Sequence, residues 1–273
     1  MNLICATLMS FIHLRLCAEE VKSMNPENLA EYQTEVYRDY GKSISLPDNY
    51  CFLNYEPVKP LPPVQATAGG IMIVGAYPSA IFQRINKRIV PVKNLNEPFD
   101  PASHDVSKNK SADELDQKIL EPLGITRSMC WITNLVKVFL FKPEHVKQFL
   151  DFKSSAAGFS TRDDFEIYAK KSLPWIFREI ELSQPKLIIT LGAEVAGNMR
   201  EVKGKKARND LLNYKIAKIM VGQREYRIVH FAHPGILMRG NPKWLKIHNE
   251  GLKELKADIQ ALLTKENCVQ PGS

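Results

Sequence analysis

The chain has 273 residues, 44% hydrophobic and 25% charged, an ordinary globular mix that is long enough for one substantial core, or one core plus an extension. Its 37 Lys and Arg exceed its 30 Asp and Glu by +7, and the sequence pI is near 9.0, an excess that suits a polyanionic partner without demanding one. The five cysteines (Cys5, Cys17, Cys51, Cys130, Cys268) are odd in number, widely spaced and form no C-x-x-C, which argues against a disulfide framework or a zinc or iron–sulfur site. Reduced thiols in a cytoplasmic protein are the simplest reading.

Residues 1–23 are apolar, but His13 and Arg15 interrupt the run and no basic residue precedes it, so the stretch reads as neither a membrane span nor a signal peptide. Met24 opens an alternative start, and the segment is set aside as uninformative. Residues 24–70 read as an extension. A helix is expected over 26–40, with Asn25 as cap and Gly41 as stop, followed by a proline-rich connector over 56–70.

From residue 71 to 273 the pattern is that of an α/β domain. Strands are expected at 71–77, 130–139, 186–192 and 226–234, and the first and third are near-continuous apolar runs suited to a parallel sheet buried on both faces. Helices are expected at 112–124, in two pieces across 143–182, at 193–202 and at 242–263. The fold class that follows is a three-layer α/β/α sandwich with a central four-stranded parallel sheet. Ligands bind beyond the carboxyl ends of such strands, which singles out GAYPSA, TNLVKVF, LGAE and AHPGILMRG.

Those strand ends carry a resemblance. Gly75-Ala76-Tyr77-Pro78-Ser79 follows the first strand, and His233-Pro234-Gly235 follows the last. Between them come Pro98-Phe99, Leu123-Gly124, Arg127, Thr133-Asn134-Leu135-Val136-Lys137 and the run Pro185 through Gly192. This order is similar to that of the uracil-DNA glycosylase superfamily, which carries a G-x-x-P-G/S/Y motif after one strand and H-P-S or H-P-G after another. The nearest likeness is to its bacterial, iron–sulfur-bearing branch, and it covers residues 71–262.

The resemblance implies excision of uracil or a related deaminated base from single- or double-stranded DNA with no cofactor; a monomer is the default expectation, and no membrane partner is expected. His233 would stabilise the departing base anion. Asn134 would read the base edge through its amide, and Phe99 would stack on it. Gly75 through Ser79 would wall the base pocket. Ile236, Leu237 and Met238 would wedge into the vacated stack, with Arg239 and Lys137 at the DNA backbone.

Two departures from the family pattern stand out. Ala76 and Tyr77 occupy positions where the superfamily usually carries the acid or amide that positions water; one branch, which this sequence resembles in lacking a polar residue there, implies an Asp further downstream in that role. Asp100 and Asp105 are the candidates, with Asp100 preferred because it follows the Pro-Phe pair. The cluster cysteines are also missing, and Val138 stands where one would follow the strand lysine, so no metal cluster is expected. The missing acid leaves open a non-catalytic nucleic-acid or nucleotide-binding protein on the same scaffold. Hydrolysis of small nucleosides is a third reading, expected to show a closed pocket without a wedge. The basic run Lys203 to Arg208 is either a solvated loop or a phosphate-tracking one.

Overall fold

The computed structural model describes residues 26–102, 111–152 and 161–264; Asp105 lies outside them. Helix α1 (Pro26–Ser43) runs two residues past Gly41 and leads through the connector to β1 (Ile71–Gly75). An antiparallel hairpin follows, β2 (Ala80–Ile85) and β3 (Arg88–Asn94). Next, α2 (Ser111–Leu115), a π-helical turn (Asp116–Leu120) and α3 (Glu121–Leu123) run on without a break. Then come β4 (Cys130–Asn134), α4 (Pro143–Asp151), α5 (Phe165–Ser183), β5 (Leu187–Leu191), α6 (Ala193–Met199) and α7 (Lys205–Asp210). The chain closes with β6 (Ala217–Val221), β7 (Arg224–Phe231), α8 (Pro234–Met238) and α9 (Pro242–Thr264).

The central sheet has the order β4-β1-β5-β7-β6. Its first four strands are mutually parallel, as expected. The fifth, β6, is antiparallel to β7 and corrects the expected count of four. Strands β1, β4 and β5 are buried at every position, which is why they are apolar throughout.

Successive residues of each strand point to opposite faces and build two cores. Met72, Val74, Trp131 and Ile188 pack with α1, α4 and α5, while Ile71, Ile73, Ile132 and Ile189 pack with α2, α3 and α9. The result is a three-layer α/β/α sandwich.

The extension belongs to this packing. Tyr32 and Tyr40 of α1 are fully buried, and the connector runs along the edge strand, with Ile132 donating its N–H to Gln65 O and Thr67 donating to Cys130 O. That pairing leaves less of the β4 edge open to another chain.

Candidate functional site

A cavity of about 690 Å³ opens where the parallel strands end, at Ala76 after β1, Asn134 at the end of β4, Leu191 at the end of β5 and His233 after β7. Tyr77, Pro78, Ser79, Phe99, Ile236 and Arg239 also line it, so most of the residues singled out from sequence converge there.

His233 is the N-cap of α8. Its Nδ1 accepts the N–H of Gly235 at 3.0 Å, so that nitrogen carries no proton and a neutral ring must carry it on Nε2. Burial holds the imidazole below the ordinary histidine range; Glu194 opposes this and Arg239 adds to it. The ring is therefore a neutral N–H donor at the cavity wall. Gly235 makes room for this: a methyl there would lie 3.2 Å from both His233 Nδ1 and the Glu114 carboxylate. Glu114 is itself buried, and burial pushes its carboxyl up.

Asn134 is 1% exposed, and among the described residues neither Oδ1 nor Nδ2 of its amide has a hydrogen-bond partner. Such an orphaned amide is costly, by about 1–3 kcal/mol, unless a ligand completes it. The neighbouring Gly75 has no side chain for a reason. A methyl on it would collide with Asn134 Oδ1 and come within 2.7 Å of the Phe99 ring. Phe99 is buried and adopts a left-handed φ of +57, a strained conformation for an aromatic residue. Arg127 stabilises that turn, donating Nη1–H to the Phe99 carbonyl at 3.1 Å while its Nε–H bonds Asp116 at 2.9 Å.

Several expectations fail on geometry. Asp100 does not line the cavity. Its Oδ1 accepts the Ala102 N–H at 2.8 Å, and its Oδ2 accepts from the Asn96 side-chain amide at 3.0 Å, so the carboxylate holds a turn.

Lys137 is fully buried, paired with Glu179 at 2.6 Å and bonded to Thr133 Oγ1 at 2.9 Å, so it cannot reach a DNA backbone. Leu237 is 1% exposed and packs on Ala196, Leu212 and Ala232, which removes it from the wedge; Met238 is exposed but lies outside the cavity. In the basic run, Lys205 to Arg208 lie on α7, Arg208 is ion-paired with Glu166, and no residue of the run lines the cavity.

The cavity also holds residues that the sequence reading did not assign. Glu194 is the one carboxylate among the described lining residues. Its Oε2 and the His233 ring carbon Cδ2 both lie within 4 Å of the point where a methyl on Gly192 would stand. The carboxyl-end rule had marked its segment, LGAE, but not the residue. Phe139, which also lines the cavity, ends the marked segment TNLVKVF, whereas Lys142, His145, Arg162, Phe82 and Phe165 line it and gave no local signal. No group of three His, Cys, Asp or Glu among the described residues is arranged to hold a metal, and no described helix is long and apolar enough to cross a membrane.

Compared with known families, residues 64–260, well over half of the chain, match the family model described as the uracil DNA glycosylase superfamily. A search of the curated proteins found no match.

Proposed function

Starting from the fact that this chain belongs to the uracil-DNA glycosylase superfamily, we propose that it hydrolyses the N-glycosidic bond of uracil or a related deaminated base in DNA. The observation that carries this reading is the buried, unpartnered amide of Asn134 in one cavity with a neutral His233 and a carboxylate. Asn134 offers one donor and one acceptor, the complement of the O4 and N3–H edge of uracil. Phe99, held against Gly75, supplies an apolar face for the extruded base.

In the reaction the sugar–base bond breaks and its electron pair leaves with the base. The negative charge delocalises onto a ring carbonyl oxygen, where the Nε2–H of His233 meets it. One such donor is worth about 3–4 kcal/mol, roughly 10²–10³ in rate. Positive charge develops on the sugar, and water adds to its anomeric carbon. We assign Glu194, in place of Asp100, to orient that water and take its proton. Ile236 and the exposed Arg239 flank the mouth, an apolar side chain to fill the vacated stack and a cation for a phosphate. The presence of Glu194 favours the enzyme over a purely binding role on the same scaffold.

The test is single-turnover release of free base from an oligonucleotide carrying one uracil. Glu194→Gln should slow release at least tenfold, and Asp100→Asn should leave the rate per folded molecule near wild type. The reverse order would return the water to Asp100.

A further inference from the structure

At about 690 Å³ the cavity is in the size class that takes a whole small ligand, well beyond one pyrimidine ring. Part of its wall comes from Lys142 just before α4, His145 in the first turn of α4, and Arg162 three residues before α5. Lys142, His145 and Arg162 all face the cavity there. The His145 ring stacks on Phe139 (centroids 5.8 Å apart, 22° between planes), and its Nδ1 accepts the Lys142 N–H at 3.3 Å. The neutral ring therefore carries its proton on Nε2, as His233 does.

Arg162 sits with its guanidinium 4.7 Å over the Tyr77 ring, and its Nε is buried with no hydrogen-bond partner among the described residues. No described carboxylate forms an ion pair with Arg162 or Lys142. Glu144 is exposed on α4 and does not line the cavity, and Glu194 is the one acid that does. A partly desolvated guanidinium left without an anion is costly, and its planar fork matches phosphate oxygens.

We propose that Lys142, His145 and Arg162 form a phosphate subsite, with Tyr77 as the platform that holds Arg162 in place. It takes a phosphate of the nucleotide whose base enters the Asn134 pocket, and so rests on the reading above. Tyr77, standing where relatives carry an acid or amide, then has a role: its ring orients the phosphate-binding guanidinium.

The first experiment is calorimetric titration of the full chain with inorganic phosphate, for wild type, Asn134→Ala and the double variant Lys142→Gln/Arg162→Gln. Saturable binding is expected in wild type and in Asn134→Ala, and at least a tenfold loss in the double variant, with folding checked by circular dichroism. Binding that is absent from wild type, or unchanged in the double variant, overturns the subsite whether or not bases are excised. Intact phosphate binding in wild type, with no release of uracil from an oligonucleotide by the same protein, would instead overturn the base-excision reading alone.

A second arm identifies the source of the phosphate. If dUMP binds at least tenfold tighter than deoxyuridine and the double variant removes the difference, the subsite takes a free nucleotide's monoester. If only a uracil oligonucleotide weakens in the double variant, it takes the strand's diester. If neither differs from wild type, the subsite does not serve the nucleotide and the proposal fails.

Discussion

The backbone N–H of Gly235 donates to His233 Nδ1 at 3.0 Å, and protonation of that nitrogen would break the bond. Burial already disfavours the charged ring, so the acid limb of the rate profile should fall below the ordinary histidine value of about 6.5. A log-rate profile between pH 4 and 8 checks this; a rate that instead falls as pH rises through about 6.5 would mean that the charged ring is the working form. Leu237 makes a prediction of another kind. Its side chain lies in a small apolar cluster, so Leu237→Ala should lower stability by about 2–5 kcal/mol, whereas Ile236→Ala should weaken DNA binding with a smaller change in melting temperature. The residues whose placement at the cavity was legible in sequence, His233, Asn134 and Phe99, sit at strand ends or in short motifs where backbone position fixes side-chain direction. Lys137 was misread because the resemblance placed it at the DNA backbone and its neighbours in sequence carry no sign of a buried acid. Only the packed structure reveals Glu179, 42 residues later in the chain, as its buried partner.

At the level of elements, one polar network ties α1, β4 and α5 together. Glu179 accepts from Tyr32 Oη at 2.6 Å and Trp131 Nε1 at 3.1 Å, and pairs with Lys137. Removing it would strand a buried ammonium, so Glu179→Ala should cost about 3–5 kcal/mol in chemical denaturation, more than Lys137→Met, which leaves the carboxylate two other donors. A second chain supports the site itself. Ala232 N–H donates to Tyr214 Oη at 3.2 Å, Tyr214 Oη–H to His248 Nδ1 at 2.7 Å, and His248 Nε2–H to Lys118 O in the π-helical turn at 2.7 Å. That fixes the backbone immediately before His233.

The elements missed from sequence have physical reasons. The β2–β3 turn uses Asn86 and Lys87 at positive φ where glycine is the usual signal, and Pro91 in β3 reads against a strand; it pairs beside a register shift. Strand β6 is separated from β7 by Gly222 and Gln223, a two-residue turn with Gly222 at φ +57, and a lone Gly-Gln pair is a weaker hairpin signal than Asn-Gly.

For the whole molecule, several buried histidines set the acid stability. Burial lowers His145 and His230 to about 4, and lowers His233 and His248 in the same direction. Unfolding lets each regain its ordinary pKa near 6.5, so between those values the unfolded chain binds more protons than the folded one. Stability is then complete above about pH 6.5 and declines as pH falls toward 4, by on the order of 1.4 kcal/mol per pH unit for each histidine fully in that window. Thermal melts across that range check the sign. The layer architecture was legible because parallel strands buried on both faces announce themselves as apolar runs. The cationic wall of the cavity was not, because it assembles from segments whose spacing in sequence carries no periodic signal.

The central claim is that a neutral His233 and the Glu194 carboxylate act together on a base held by Asn134. Its most direct test is treatment of a labelled oligonucleotide containing one uracil with wild type, His233→Ala and Glu194→Gln side by side, followed by alkali. The account predicts alkali-labile strands with wild type and rates at least 10²-fold lower for His233→Ala and tenfold lower for Glu194→Gln. Undiminished cleavage by His233→Ala, or no cleavage of uracil, hypoxanthine or xanthine by wild type in single or double strands, would contradict it.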